Sequence, residues 1–309
     1  MGLATLAHPV LMTNAQTSLL GDKPVKRIGY GAMQLAGPGV FGPPKDSDAA
    51  RAVLRRAVEL GVDHIDTAQF YGPDVVNQLI REALYPYPDG LRLVTKVGAF
   101  RDDQGGWLPG QSPAQLREGV EDNLRALGVE RMDLVNLRLH SHTGEAAEPT
   151  AAQLGAMADM RAEGKLDLIG VSNVTLDGIK LAVDLVGEIG EVQNAYSILD
   201  RSDDPVLEFC EQHGIAYVAY FPLGSAFTAD PAAIAEDPAI TSVAAKHGAL
   251  PSQIALAWLL HRSPQILLIP GTSSVAHLEE NLAAGEIDLD AEDMRTLDGV
   301  KEKKNPGGR

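Results

Sequence analysis

Eight short apolar segments alternate with amphipathic ones along this chain, and four of the joins share one pattern. Each is a helix end, a glycine and then an apolar run: Leu60-Gly61, Leu127-Gly128, Glu163-Gly164 and His213-Gly214. Glycine suits that position because it enters the left-handed conformation that ends a helix. Strand count and repeated join together predict an α/β fold closed into a (β/α)8 TIM barrel, with an N-terminal hairpin and one extra C-terminal helix. The 309 residues suit one such barrel. No stretch reads as a linker, so 1–309 is expected to form a single domain, with 1–20 and 304–309 loosely ordered.

The expected strands lie near 28–34, 63–67, 91–97, 132–139, 166–172, 191–196, 215–221 and 266–270. Residues 1–26 read as a loose arm followed by a short hairpin. The run from Ala36 to Pro44 is too rich in Gly and Pro to be regular. Ser47 is placed to cap the next helix, whose apolar face is Ala50, Val53, Leu54, Ala57 and Val58, with Arg51, Arg55 and Arg56 turned outward. Ser112-Pro113-Ala114-Gln115 has the cap, the first-position proline and the returning Gln of a helix start. The segments 98–111 and 230–236 read as irregular, the first long enough to hang over a site. Residues 252–262 form an apolar helix with Trp258 in the core, and 290–302 form the last helix.

Composition narrows the function. Hydrophobic residues make up 45% of the chain and charged residues 22%, as in soluble globular proteins. No apolar run reaches the ~20 residues that span a bilayer, and residues 1–20 lack the pattern of a signal peptide. The one cysteine, Cys210, has no intramolecular partner and reads as a small buried hydrophobe, which fits a reducing cytoplasm. A formal net charge of -16 argues against nucleic acid and anionic membranes as partners. The oligomeric state is not legible in the sequence. No metal is expected, because the histidines are scattered and His140 and His142 lack carboxylate or Cys partners at ligand spacing.

The candidate chemistry sits at strand ends, where barrel enzymes gather their sites. Asp66 ends one strand, Tyr71 lies in the loop past it, and Lys96 ends the next strand. Singly, each has an ordinary structural use. Together they make a tuned proton donor: a nearby ammonium favours the phenolate, and an Asp keeps the Lys charged and placed. That is what reduction of a carbonyl needs, an acid that protonates oxygen as hydride reaches carbon. No glycine-rich Rossmann turn is present, so a dinucleotide would lie extended across the barrel mouth.

The contexts of these residues, IDTAQFYG and VTKVG, resemble the aldo-keto reductases. So do Gly170-Val171-Ser172-Asn173, Val192-Gln193-Asn194, Ala219 to Gly224 and Ile269 to Ser274, in the family's order from about residue 24 to 300. Within that family, Tyr30 to Pro44, Arg81 to Tyr87 and Val135-Asn136-Leu137-Arg138 are similar to the bacterial branch that reduces pyridoxal. The resemblance implies NADPH-dependent reduction of a small-molecule aldehyde, pyridoxal to pyridoxine, with Tyr71 as proton donor and Asp66 and Lys96 tuning it. It implies that Ser172, Asn173 and Gln193 hold the nicotinamide carboxamide and that Tyr220 stacks on the ring. Gly31, Met33, Asp66, Pro222 and Leu223 fall to the cofactor cleft. Gly271, Thr272, Ser273, His277, Glu280 and Asn281 fall to the adenosine phosphate end, where helix-start N–H groups bind anions.

Two positions depart from the family pattern. Arg138 stands where most members carry a His in the fourth strand. Arginine stays protonated and cannot act as an acid, but it can pair with the ionisable hydroxyl beside the aldehyde of pyridoxal. Around the 2′-phosphate this chain offers Thr272, Ser273, Ser274 and His277 in place of Lys and Arg. NADPH is expected on the resemblance, with NADH as the alternative. Three other readings stay open: a reductase of aryl aldehydes or dicarbonyls, an NADPH-binding sensor subunit, and a phosphate-binding barrel lyase or isomerase.

Overall fold

The structure, a computed structural model, describes residues 17–140, 146–224 and 230–303. Strands β1 (Thr17–Leu20) and β2 (Lys23–Lys26) pair as an antiparallel hairpin. The next strands are β3 (Tyr30–Gly31), β4 (His64–Asp66) and β5 (Arg92–Val97), followed by a second hairpin of β6 (Ala99–Arg101) and β7 (Trp107–Pro109). Then come β8 (Met132–Arg138), β9 (Leu166–Ser172), β10 (Glu191–Ala195), β11 (Ala216–Tyr220) and β12 (Ile266–Leu268). The eight strands other than the two hairpins form one parallel sheet in chain order. It closes where Gly29 N–H donates to the Leu268 carbonyl and Leu268 N–H to the Arg27 carbonyl, both at 2.8 Å. The expected barrel is therefore present.

Helices α1 (Ser47–Glu59), α2 (Val75–Leu84), α3 (Pro113–Leu127), α4 (Ala151–Ala162), α5 (Leu176–Val186) and α6 (Asp204–His213) run between successive strands. After β11 come α7 (Ala232–Glu236), α8 (Pro238–His247) and α9 (Pro251–Arg262). Past β12 lie α10 (Val275–Ala283) and the extra helix α11 (Ala291–Asp298). The four glycines of the repeated joins all have positive φ, between 66° and 88°. Ser112 and Gln115 form the expected reciprocal cap of α3, and Thr150 with Gln153 repeats it on α4.

Two apolar cores result. The outer one fills the space between strands and helices and includes Trp258, which is fully buried, and Cys210 on α6. The inner one lies in the barrel, where Val94, Leu134, Leu168, Ala216, Val218, Leu267 and Ile269 pack with Leu20 and Val25 of the first hairpin. That hairpin plugs the end where the barrel strands begin. Side chains alternate along a strand, so two residues on from Val94 and Leu134 the same inward row reaches Lys96 and Asn136. Apolar packing thus holds one end of the barrel, and polar groups are left to the other.

Several local expectations are corrected. Residues 17–20 are not loose: they form β1, because Leu20 has the inner core to fill. The strand expected over 28–34 shrinks to Tyr30–Gly31, and Ala32–Leu35 turns into a 3-10 helix. The glycines there serve close approach instead: a Cβ on Gly31 would lie 2.4 Å from the Ile269 carbonyl oxygen, across the closing seam. Asp46, not Ser47, caps α1, accepting from Ala49 N–H. Much of segment 98–111 is the β6–β7 hairpin, held by Arg101 stacked 4.1 Å from the Trp107 ring centroid and bonded to the Val40 carbonyl. Segment 230–236 contains the short helix α7. The residues expected to be loose at 1–16 and 304–309 lie outside the described residues, as does His142.

Leu20→Ala tests the plug. Leu20 is fully buried, and removing such a side chain costs about 2–5 kcal/mol. Urea denaturation is expected to show that loss with an unchanged m-value. A loss within error of zero would mean that the hairpin does not close the barrel end in solution.

Candidate active site

Strand β4 ends at Asp66 and β5 carries Lys96 on the same inward face, so the barrel brings together residues 30 apart in sequence. Both side chains are buried, 4% and 5% exposed, and they form an ion pair. Lys96 also donates to the Thr67 carbonyl at 3.1 Å. Its ammonium lies 5.1 Å from the Tyr71 ring centroid. Burial by itself pulls the Lys96 pKa down, but the Asp66 charge and the Tyr71 oxygen outweigh it, and the net direction is up. Tyr71 is itself buried, packed edge-on to Phe70, which meets Trp107 of the second hairpin. The three residues expected to act together are thus one cluster, with the Lys between the carboxylate and the phenol.

The cluster continues through Gln193 of β10. Its amide nitrogen lies 2.9 Å from Asp66 Oδ2 and 3.3 Å from Glu191 Oε1. Asn136 of β8 donates to the same Glu191 oxygen at 2.5 Å. Burial pushes the Glu191 carboxyl up to about 7, with hydrogen bonds and Lys96 opposing and Asp66 assisting.

Above this layer Arg138 ends β8, paired in register with Ser172 of β9. Its guanidinium carbon lies 5.9 Å from the Tyr220 ring centroid at the end of β11. Burial raises the Tyr220 pKa, while Arg138 pulls the other way. Asn173 has φ 59°, and its amide donates to the Leu139 carbonyl at 3.1 Å. Pro222 is buried and Leu223 half-buried just beyond Tyr220. Met33 is half-buried on the 3-10 turn after Gly31.

Across the seam, Gly271 approaches Gly31 so closely that a Cβ on it would lie 2.7 Å from the Gly31 carbonyl oxygen. Tyr30 donates to the Thr272 carbonyl at 2.6 Å and Thr272 accepts from Ser274 N–H at 3.1 Å, which fixes the start of α10. Ser274 caps that helix through His277 N–H. Ser273 and His277 are exposed there, and Glu280 and Asn281 are half-buried on the same helix.

These residues suit a nicotinamide dinucleotide. Ser172 Oγ is buried without a hydrogen-bond partner. The amide nitrogen of Gln193 is committed to two carboxyl groups, which leaves its amide oxygen as the group that can accept from a ligand. A buried hydroxyl and an amide oxygen on adjacent strands are what a carboxamide head requires. The helix start at Ser274 offers first-turn N–H groups that lack intrahelical acceptors.

Comparison with known proteins agrees. The Aldo/keto reductase family profile matches residues 27–302. The chain belongs to this family. It is 52% identical over 289 residues to pyridoxine 4-dehydrogenase of Escherichia coli, covering 93% of this chain and 99% of that one. An uncharacterized oxidoreductase of Schizosaccharomyces pombe is 42% identical over 96% of this chain and 94% of its own. Among solved structures, an aldo-keto reductase from Klebsiella pneumoniae in complex with NADPH aligns with TM-score 0.75 and 26% identity, over 92% of this chain and 94% of that one. A thermostable aldo-keto reductase in complex with the inhibitor epalrestat aligns with TM-score 0.77 and 29% identity, over 91% and 98%.

Two groups of this reductase escaped the sequence reading. Glu191 and Asn136 were passed over, although a charged residue two positions before Gln193 must share its inward face. Asn194 stood in a recognised block without a role. Its amide brackets Val174, accepting from the N–H at 3.0 Å and donating to the carbonyl at 2.8 Å, and also donates to Asp203. That clamp holds the backbone beside Asn173.

Lys96→Met leaves the Asp66 carboxylate buried without its cation. Breaking a buried pair in this way costs about 3–5 kcal/mol. The folded pKa of Lys96 lies above the ordinary 10.5, so its stabilising contribution is complete below that value and fades as pH rises through the folded value. Chemical denaturation of both proteins is therefore expected to show a gap at neutral pH that narrows in the alkaline range. A gap that stayed constant well into the alkaline range would contradict the assignment.

Proposed function

We propose that this aldo/keto reductase reduces aldehydes with NADPH, converting pyridoxal to pyridoxine, with NADH as the alternative coenzyme. The observation that carries the reading is the buried Lys96 ammonium set between Asp66 and Tyr71 at the barrel mouth. The E. coli relative, similar over almost its whole length, supports the substrate. When bound, the reduced nicotinamide supplies the hydride that goes to the aldehyde carbon. Tyr71 gives the proton to the aldehyde oxygen, and Lys96 favours the phenolate that remains, while Asp66 keeps Lys96 charged and placed.

Other residues bind and orient. Ser172, Asn173 and Gln193 hold the carboxamide, which selects the face of the ring turned to the substrate. Tyr220 stacks on that ring, with Gly31, Met33, Pro222 and Leu223 lining the cleft. Gly271, Thr272, Ser273, His277, Glu280 and Asn281 take the adenosine phosphate end. Arg138, across from Tyr220, pairs with the ionised hydroxyl beside the aldehyde and holds the carbonyl over the hydride. The buried, unpaired Cys210 suits the reducing cytoplasm.

Tyr71→Phe is expected to lower turnover of pyridoxal by about 10²–10⁴-fold, the range for losing a positioned acid, with NADPH binding by fluorescence unchanged. NADPH absorbance with pyridoxal as the only carbonyl measures the first. Activity on an aryl aldehyde but not pyridoxal would keep the reductase and discard the vitamin. Binding without turnover of any aldehyde would make the chain a sensor.

Arg138→His is expected to raise the KM for pyridoxal about tenfold, as losing one charge-assisted hydrogen bond does, and to spare aldehydes that lack the neighbouring hydroxyl. Unchanged kinetics with pyridoxal would remove Arg138 from substrate binding.

A further inference from the structure

Glu191 is a carboxyl group sealed inside the barrel, 2% exposed, at a position the proposed reaction does not use. It sits one inward step below Gln193 on β10. The two protons of the Gln193 amide face two carboxyl groups, Asp66 Oδ2 at 2.9 Å and Glu191 Oε1 at 3.3 Å. With both protons committed, the amide oxygen is turned away from the two carboxyl groups. Asp66 alone would fix one proton and leave the amide free to turn. We propose that Glu191 is the positioning residue that locks the Gln193 amide with its oxygen toward the coenzyme, so that the site accepts a carboxamide N–H and rejects a head group lacking one.

The surroundings of Glu191 are built for this. Asn136 donates to the same Glu191 oxygen at 2.5 Å, and its own amide oxygen is buried without a partner. Gly170 on β9 makes the room, since a Cβ there would lie 2.2 Å from that Asn136 oxygen. The charged groups that act on Glu191 are Asp66 of β4 and Lys96 of β5. Its register partner on β11 is the uncharged Ala216, and β8 and β10 present the neutral amides of Asn136 and Gln193. Burial raises the carboxyl's pKa toward the neutral range, and a carboxyl that takes up a proton more readily costs less to keep in the barrel. A neutral Glu191 still accepts from Gln193 through its carbonyl oxygen.

The proposal rests on the reading that Gln193 meets the nicotinamide. The test is binding of NADP+ and of its acetylpyridine analogue, whose methyl ketone replaces the carboxamide, followed by calorimetry on the whole chain. Wild type is expected to prefer NADP+ by about tenfold, one buried hydrogen bond. Glu191→Met is expected to lose that preference, and Glu191→Gln, which keeps an acceptor oxygen, to retain it. Equal weakening of both ligands in Glu191→Met would mean a merely structural role and overturn the proposal, as would a preference that survives in it. Loss in Glu191→Gln as in Glu191→Met, with both melting as wild type does, would also overturn it. Failure of wild type to bind either dinucleotide would instead sink the underlying coenzyme reading.

Discussion

The buried pair of Lys96 and Asp66 is the interaction on which the rest of the site depends. Taking both charges out of water costs several kcal/mol per ion, recovered only where geometry and further hydrogen bonds satisfy them. Here the further bonds come from the Thr67 carbonyl and the Gln193 amide. The carboxylate therefore does two jobs: it neutralises Lys96 and anchors Gln193. Tyr71 and the proposed coenzyme site share a single charged pivot, so a disturbance at Asp66 reaches both.

The barrel divides its interior to make that pivot affordable. At the hairpin end, Leu20 and Val25 join the inward residues of five strands in a dry apolar layer. Above it the inward row turns polar: Asp66, Lys96, Asn136, Glu191 and Gln193 are all buried, and they are linked by hydrogen bonds or ion pairing. A low-dielectric layer beneath a polar one strengthens each polar contact and makes an unpaired group expensive. Ser172 and Asn136 each keep one unpartnered polar atom, and Ser172 faces the site where a ligand would complete it.

Overall charge opposes an anionic coenzyme, since the formal net charge is -16. The structure relieves this locally. Arg138 stands at the mouth beside Tyr220, and the start of α10 offers N–H groups to the proposed adenosine end. Many of the carboxylates are paired on the outside instead, as in Arg117–Glu163, Arg51–Glu82 and Lys246–Asp290. Screening by salt attenuates the field beyond about 8–10 Å.

Much of this was legible along the chain because it depends on neighbours in sequence. Helix ends with left-handed glycines, the cap at Ser112 and the eight-fold alternation are local features. So are the motifs around Asp66, Tyr71 and Lys96 that carry the family resemblance. Errors fell where tertiary contacts override local pattern: Leu20 drawn into the inner core, Ala32–Leu35 bent away from the closing seam, the β6–β7 hairpin pinned by Arg101. The contacts of the site itself were beyond local reasoning. Gln193 meets Asp66 across 127 residues and Asn136 meets Glu191 across 55. Only closure of the barrel, with its strand register, sets which inward side chains share a layer, and so which carboxyl groups orient which amide.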